Sequence, residues 1–310
     1  MAAAKRLFRA EKAGHTGTLD PFATGLLPVA FGEAAKFSRF MLDAQKSYRA
    51  TLKLGEVTST GDTEGVIVLR RDVIKGDVTA EKIQAVLGQF LGAQMQTPPM
   101  HSALKQNGVP LYKLARQGIE VPRTPRQITV LSLSCISFSG STLVIDADVT
   151  KGTYIRVLAE DIGEALGCGA HLSALERTAI GGIGGIKFEG AFTLEALAAM
   201  NESSRDSTLL PPMSLCAALT PVQLNCEDAR IFCNGGWLPA PNQTNLAGHY
   251  AVYAEKKSDP NSNQSCNQDS SQNTHQYAGR MANDNKFLGV GIIHQHQDTL
   301  RLIPARLMAS

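Results

Sequence analysis

Apolar positions change their period several times along the chain. Ser47 to Leu54 (SYRATLKL) alternates, which predicts a half-buried strand. Val66-Ile67-Val68-Leu69 is a continuous apolar run and predicts a buried strand. Ile83, Val86, Leu87 and Phe90 share one face of a helix that Thr79 can cap and that runs through Leu91. Gln96 to Pro99 reads as a proline-limited connection, and Pro110 to Gln117 as a short helix stopped by Gly118. Ile128 to Phe138 (ITVLSLSCISF) alternates strictly, Ser139-Gly140-Ser141 turns it, and Leu143 to Val149 returns, which predicts a hairpin. A helix follows from Ile155 to Leu166 and ends at Gly167. Strands and helices mix without a regular βαβ alternation. The fold class expected is therefore α+β, with a mixed, largely antiparallel sheet.

Residues 191–218 read as a helical connector closed by Pro211-Pro212, and short strand-like runs follow at Tyr250 to Tyr253 and Phe287 to Ile293. Between those runs, half of the 30 residues from Lys256 to Asn285 are Ser, Asn or Gln, with no Val, Ile, Leu, Phe or Trp. Such a stretch cannot offset its ordering entropy and is expected to be a mobile loop.

The chain has 310 residues, 43% hydrophobic and 19% charged, enough to bury a core and long enough for two domains. No apolar run approaches the roughly 20 residues of a membrane-crossing helix. The six cysteines contain no C-x-x-C pair, so neither a disulfide framework nor a zinc ribbon is indicated, and buried free thiols are expected. The first ten residues are basic and free of acids, as in a transit peptide, but Gly14-His15-Thr16-Gly17 follows at once as a working loop. A cytoplasmic protein is the expectation. The net charge of +2 hides an uneven distribution: residues 1–126 hold 18 Lys and Arg against 11 Asp and Glu, and the remainder 12 against 17. A basic first part suits a phosphate-rich partner, although a solvated mixed surface gives the same count. There is no G-x-x-x-x-G-K-[ST] and no G-x-G-x-x-G, so neither nucleotide hydrolysis nor a dinucleotide cofactor is expected.

The densest chemical signal is Gly14-His15-Thr16-Gly17-Thr18-Leu19-Asp20-Pro21. Its glycines let the backbone approach a ligand, and Pro21 restricts Asp20 to extended geometry. Alone, the octapeptide also fits a plain turn in which Asp20 bonds its own backbone. Tyr48 opens a strand, where it can stack on a base or serve as an ordinary strand aromatic. Lys151-Gly152-Thr153-Tyr154-Ile155-Arg156 puts Tyr154 and Arg156 on one side of an extended segment. Arg156 can pair with a carboxylate and favour its charged form, or be a surface arginine at a helix start. Leu175 and Arg177, in HLSALERTAIG, read by themselves as a core leucine and a solvated arginine.

Taken together, GHTGTLDPFATGLLPVAFGEAAKF, KSYRATLKLGEVTSTGDTEG, TPPMHSALKQNGVPLYKLARQGIEVPRTPR and KGTYIRVLAEDIGEALGCGAHLSALERTAIG resemble the TruB family of tRNA pseudouridine synthases, over roughly residues 5–200. The resemblance implies the pseudouridine synthase fold with a small C-terminal β-rich, PUA-like module. It implies a catalytic domain over residues 1–190, a connector over 191–218 and an RNA-binding module over 219–310 that carries the insertion at 256–285. The implied reaction isomerises a uridine in the T loop of tRNA, with no cofactor and no metal. Asp20 would be the catalytic carboxylate, as nucleophile or as base. His15 would fill the gap left by a flipped nucleotide, Tyr48 would stack on the base, and Tyr154 and Leu175 would line the pocket, with Arg156 paired to Asp20. Family members carry a strand and a Lys-Pro-x-Gly-x-Thr-Ser-like segment before the helix that this chain enters at about Lys5, so that strand is expected to be missing. The implied partner is the T-stem loop of tRNA, with a monomeric protein and no membrane. The alternative is a tRNA-binding or tRNA-folding module whose catalysis is lost with that strand.

Overall fold

A computed structural model describes residues 1–74, 76–181, 185–241, 247–255, 285–297 and 299–308, with Phe188 described by its backbone alone. The chain divides into two compact units. One comprises residues 18–27 and 43–182, the other residues 1–17, 28–42 and 183–310.

In the first unit six strands lie side by side, in the order Thr24–Gly25, Ala170–Ile180, Lys46–Leu54, Thr142–Val149, Arg126–Ser139 and Gly92–Gln96. All pairings are antiparallel except the two-residue parallel contact of Thr24–Gly25 with Glu176 and Arg177. The Lys46–Leu54 strand buries Ala50, Leu52 and Leu54 on one face, as its alternation predicts. Leu143, Ile145, Ala147 and Val149 continue that face on the neighbouring strand. Helices Ala80–Gln89 and Ile155–Leu166 supply Ile83, Val86, Leu87, Leu158 and Ile162 to the same core cluster. Thr79 caps the first of these by accepting the Lys82 N–H, a contact of about 1 kcal/mol. That helix ends two residues before the expected Leu91. The second begins and ends as expected, because Gly167 adopts φ +92°, which a Cβ would oppose. The opposite face of the sheet is polar: Arg49 donates two bonds of 2.8 Å to Asp146 across adjacent strands.

The predicted buried strand at Val66–Leu69 is corrected. Among the described residues Ile67–Arg70 pairs with Glu56–Thr58 alone, and none of its residues is buried; Val66 is 71% exposed and Val68 60%. A two-stranded ribbon buries little surface by itself, so apolar composition alone did not bury it.

In the second unit, Ala13–His15 pairs antiparallel with Val29–Phe31. The C-terminal β-rich module is a five-stranded sheet in the order Thr220–Leu224, Gly248–Ala254, Lys286–His296, Thr299–Leu307 and Leu238–Pro239. Val222, Leu224, Val252, Ile293 and Leu302 form its core with Phe232 of the helix Cys226–Cys233. Residues 191–218 hold the short helices Leu194–Ala199 and Glu202–Asp206 and a 3-10 turn at Pro212–Cys216. Residues 256–284 of the polar stretch expected to be mobile, and Cys266 within it, lie outside the described residues. The other five cysteines are free thiols. Cys168 and Cys216 are buried and Cys135 is half-buried, but Cys226 and Cys233 are exposed, which corrects the expectation of burial. They stand at the two ends of a short helix whose buried residues are Ala229 and Phe232. Among the described residues, no helix is long and apolar enough to cross a membrane.

Candidate active site

The loop bearing Asp20 is held to the sheet just beyond it. Ala23 N–H closes a turn onto the Asp20 carbonyl at 2.9 Å. Leu26 N–H then donates to the Arg177 carbonyl at 2.8 Å, and Arg177 Nε donates back to the Leu26 carbonyl at 2.8 Å. Gly25 between them has φ +98°, and a Cβ there would stand 2.4 Å from the Arg177 carbonyl oxygen. Only glycine admits both that conformation and that approach. Arg177 is 1% exposed, so the solvated arginine of the sequence reading is corrected: it lies between Tyr48 and Gly25 of the neighbouring strands, with its Nε on the Leu26 carbonyl.

Arg156 holds the loop from the other side. It lies in the first turn of the Ile155–Leu166 helix, with Tyr154 as the extended N-cap residue. The two residues therefore do not share an extended segment, as their alternation suggested; the chain turns helical between them. The Arg156 side chain is 5% exposed. Its Nε donates to Asp20 Oδ2 at 2.9 Å, its Nη1 to the Thr60 carbonyl at 3.1 Å, and its Nη2 to the His101 carbonyl at 2.7 Å. Asp62 Oδ2 stands 3.3 Å from Nη1, on a side chain that is 3% exposed. A buried guanidinium must be paired and its donors satisfied, and two carboxylates and two carbonyls do this here. Asp62 is itself fixed by the Thr60 hydroxyl and by the Glu64 N–H at 3.0 Å. Asp20 differs from Asp62 in keeping 36% of its side chain exposed. The result is an oriented carboxylate, anchored by a buried cation yet open to a ligand.

Of the other residues singled out, Tyr48 and Leu175 lie on one face of the adjacent strands Lys46–Leu54 and Ala170–Ile180, with Leu175 opposite Ala50 and Arg177 opposite Tyr48. Burial raises the Tyr48 hydroxyl above its ordinary range; the nearby Arg177 opposes this and Asp20 adds to it. Burial likewise raises Tyr154, to which Asp20 also contributes. Both phenols thus lie within electrostatic reach of Asp20. His15 belongs to the other unit, on the Ala13–His15 strand, where its Nδ1 accepts the Gly17 N–H at 3.3 Å.

Sequence reasoning missed four residues here. Asp62 follows Gly61 in the segment KSYRATLKLGEVTSTGDTEG, where its side chain carries no local signal of a partner. Gln96 was read as part of a connection, yet it ends the Gly92–Gln96 strand. The backbone carbonyl of His101 leaves no signal in a side-chain pattern. Glu160, one turn after Arg156, has its carboxyl pushed up to about 7, first by burial and then by Asp161. Among the described residues there is no group of three His, Cys, Asp or Glu that could hold a metal ion.

A family model described as the TruB family pseudouridylate synthase N-terminal domain matches residues 5–155, and one described as the tRNA pseudouridylate synthase B C-terminal domain matches residues 156–224. A tRNA pseudouridine synthase B of Dechloromonas aromatica is 50% identical over 252 residues, covering 81% of this chain and 82% of that protein. The chain belongs to the TruB family of pseudouridylate synthases. A second TruB relative, the tRNA pseudouridine synthase B of Ralstonia nicotianae, is 47% identical over 257 residues, covering 82% of this chain and 80% of its own. The fold is shared with a chain of a Cbf5-Nop10-Gar1 complex, at a TM-score of 0.68 and 23% identity over 99% of this chain and 79% of that one. The two TruB family segments meet between Ile155 and Arg156, so the Asp20–Arg156 pair joins one to the other.

Proposed function

We propose that this chain is a tRNA pseudouridine synthase that isomerises a uridine of the T loop, with Asp20 as its catalytic residue. The observation that carries this reading is the partly open Asp20 carboxylate, held at 2.9 Å by the buried Arg156. Relatives about half identical to it, each a tRNA pseudouridine synthase B, support the reading.

The reaction breaks the bond between N1 of uracil and C1′ of the ribose, rotates the base and joins C5 to C1′. The proton on C5 is lost and one is returned to N1, so atoms and electrons balance within the substrate and solvent. Asp20 serves as nucleophile toward the sugar or as base for a sugar proton, and either role needs a negative oxygen at a fixed position. The uridine must first leave its stack, at a cost of a few kcal/mol. Tyr48 stacks on the extruded base, Tyr154 and Leu175 line its pocket, and His15 occupies the gap left in the RNA. The basic excess of residues 1–126 engages RNA phosphates. In this reading residues 1–190 form the catalytic domain, 191–218 connect, and 219–310 form a PUA-like RNA-binding module. The protein acts as a cytoplasmic monomer.

Incubation with an unmodified tRNA transcript, followed by chemical detection of pseudouridine, tests the reading. Wild-type protein is expected to form product. Asp20→Asn is expected to keep tRNA binding and lose at least about a thousandfold in rate, since no other group replaces an essential carboxylate. Salt-sensitive tRNA binding by the wild-type protein without product would leave a tRNA-binding or tRNA-folding module and refute the enzyme.

A further inference from the structure

We propose that Gln96 is a positioning residue for the isomerisation, its carboxamide fixing the segment from Tyr154 to Arg156 and thereby the Asp20 partner. The inference rests on the enzymatic reading above and adds a residue to it. Gln96 is the last residue of its strand, paired with Arg126, and is 6% exposed. Its Oε1 accepts the Tyr154 N–H at 2.8 Å, and its Nε2 donates to the Tyr154 carbonyl at 3.1 Å. An N–H can meet only the oxygen and a carbonyl only the nitrogen, so the amide has one orientation. Two opposed bonds to one residue imitate the pairing of a strand neighbour at a place where no strand runs.

The place matters because Tyr154 is the N-cap of the helix that carries Arg156. The Tyr154 N–H is one of the donors that a helix start leaves unpaired. Its carbonyl also accepts the Leu158 N–H at 3.1 Å, so Gln96 is bonded to the helix ladder itself. Five residues beyond Gln96, the His101 carbonyl accepts Arg156 Nη2 at 2.7 Å. One connection thus grips the segment twice, at the Tyr154 backbone and at the Arg156 guanidinium. Arg156 projects toward Asp20 from between those grips. Filling space alone would favour an apolar side chain, because a buried carboxamide is unfavourable unless its groups are paired.

The test uses the full chain, an unmodified tRNA transcript, single-turnover rates with enzyme in excess, and tRNA binding, from pH 6 to pH 8. Gln96→Leu removes both bonds at similar volume. Its rate is expected to fall about 10- to 100-fold, as for a small misplacement of a catalytic group, with tRNA affinity within about twofold of wild type. Gln96→Glu has an acceptor but no donor when ionised, and both when protonated. Its rate relative to wild type is therefore expected to rise at least about fivefold from pH 8 to pH 6. A Gln96→Leu rate within about twofold of wild type, or a loss matched by lost tRNA binding, overturns the proposal. So does a Gln96→Glu ratio that stays flat with pH, and this variant decides alone should Gln96→Leu not fold. A wild-type protein without product instead fails the enzymatic reading itself.

Discussion

The Asp20 loop is held at two points by two buried arginines that work differently. Arg177 meets the loop backbone, exchanging carbonyl-directed bonds with Leu26 at a position where Gly25 must lie flat against it. Arg156 meets the carboxylate itself and balances it against a second, fully buried carboxylate, Asp62. One anchor sets where the loop runs; the other sets where its charge sits. Burial of a cation therefore says little about its role until its acceptors are named.

Breaking the charge anchor has the largest expected effect. Arg156→Gln leaves Asp62 buried without its cation and is expected to destabilise the fold by about 3–5 kcal/mol in urea or thermal unfolding, besides removing activity. Adding Asp62→Asn should recover part of that loss, because the two groups share one network. The backbone anchor is expected to be weaker. Gly25→Ala forces a Cβ into the left-handed region and against Arg177, at about 1–3 kcal/mol, with the tRNA-modifying rate falling as the loop shifts. An equal loss of stability from both variants would erase the distinction between the anchors.

Glu160 is a surplus carboxylate on the Arg156 side. A Cβ on Gly61, next to Asp62, would stand 2.7 Å from Glu160 Oε1. Burial, then Asp161, raise its carboxyl from 4.5 to about 7, while Arg156 opposes them and Asp62 and Glu164 add to them. Between those values the folded chain keeps a proton that the unfolded chain has lost. Stability contributed by this site therefore declines as pH rises through that window. Glu160→Gln is expected to be more stable than wild type by about 1 kcal/mol at pH 8, after allowance for solvent screening at a half-buried site, and no more stable near pH 4.5. Denaturant midpoints at the two pH values measure this. The smallest effect belongs to the exposed ribbon: Val68→Thr is expected to change stability by less than about 0.5 kcal/mol, since the side chain is 60% exposed.

Much of the candidate site was legible because its residues sit in short, chemically unusual strings. Asp20 before Pro21, Tyr48 at a strand start and Arg156 beside a helix start are all visible locally, and the family resemblance joined them. Arg177 was not legible as a buried residue, since its enclosure depends on Gly25, about 150 residues away, running alongside it. Gln96 was hidden for a similar reason: its partners are the backbone groups of Tyr154, which every residue possesses. The Val66–Leu69 run shows the same limit in the fold, because its composition is that of a buried strand while its strand partner among the described residues is the short Glu56–Thr58.

Local sequence determined the elements: the alternation of Lys46–Leu54, the Arg126–Ser139 and Thr142–Val149 hairpin, the Gly167 helix stop, and the presence of the Asp20 carboxylate and the Arg156 guanidinium in their local strings. These follow from steric and solvation preferences acting over a few residues. The tertiary structure decided which carboxylate stays open, which cation is enclosed and which carbonyls complete it. Those outcomes depend on groups far apart in the chain meeting at about 3 Å, and hydrogen bonding over such separations is settled only when the sheet and its loops close together.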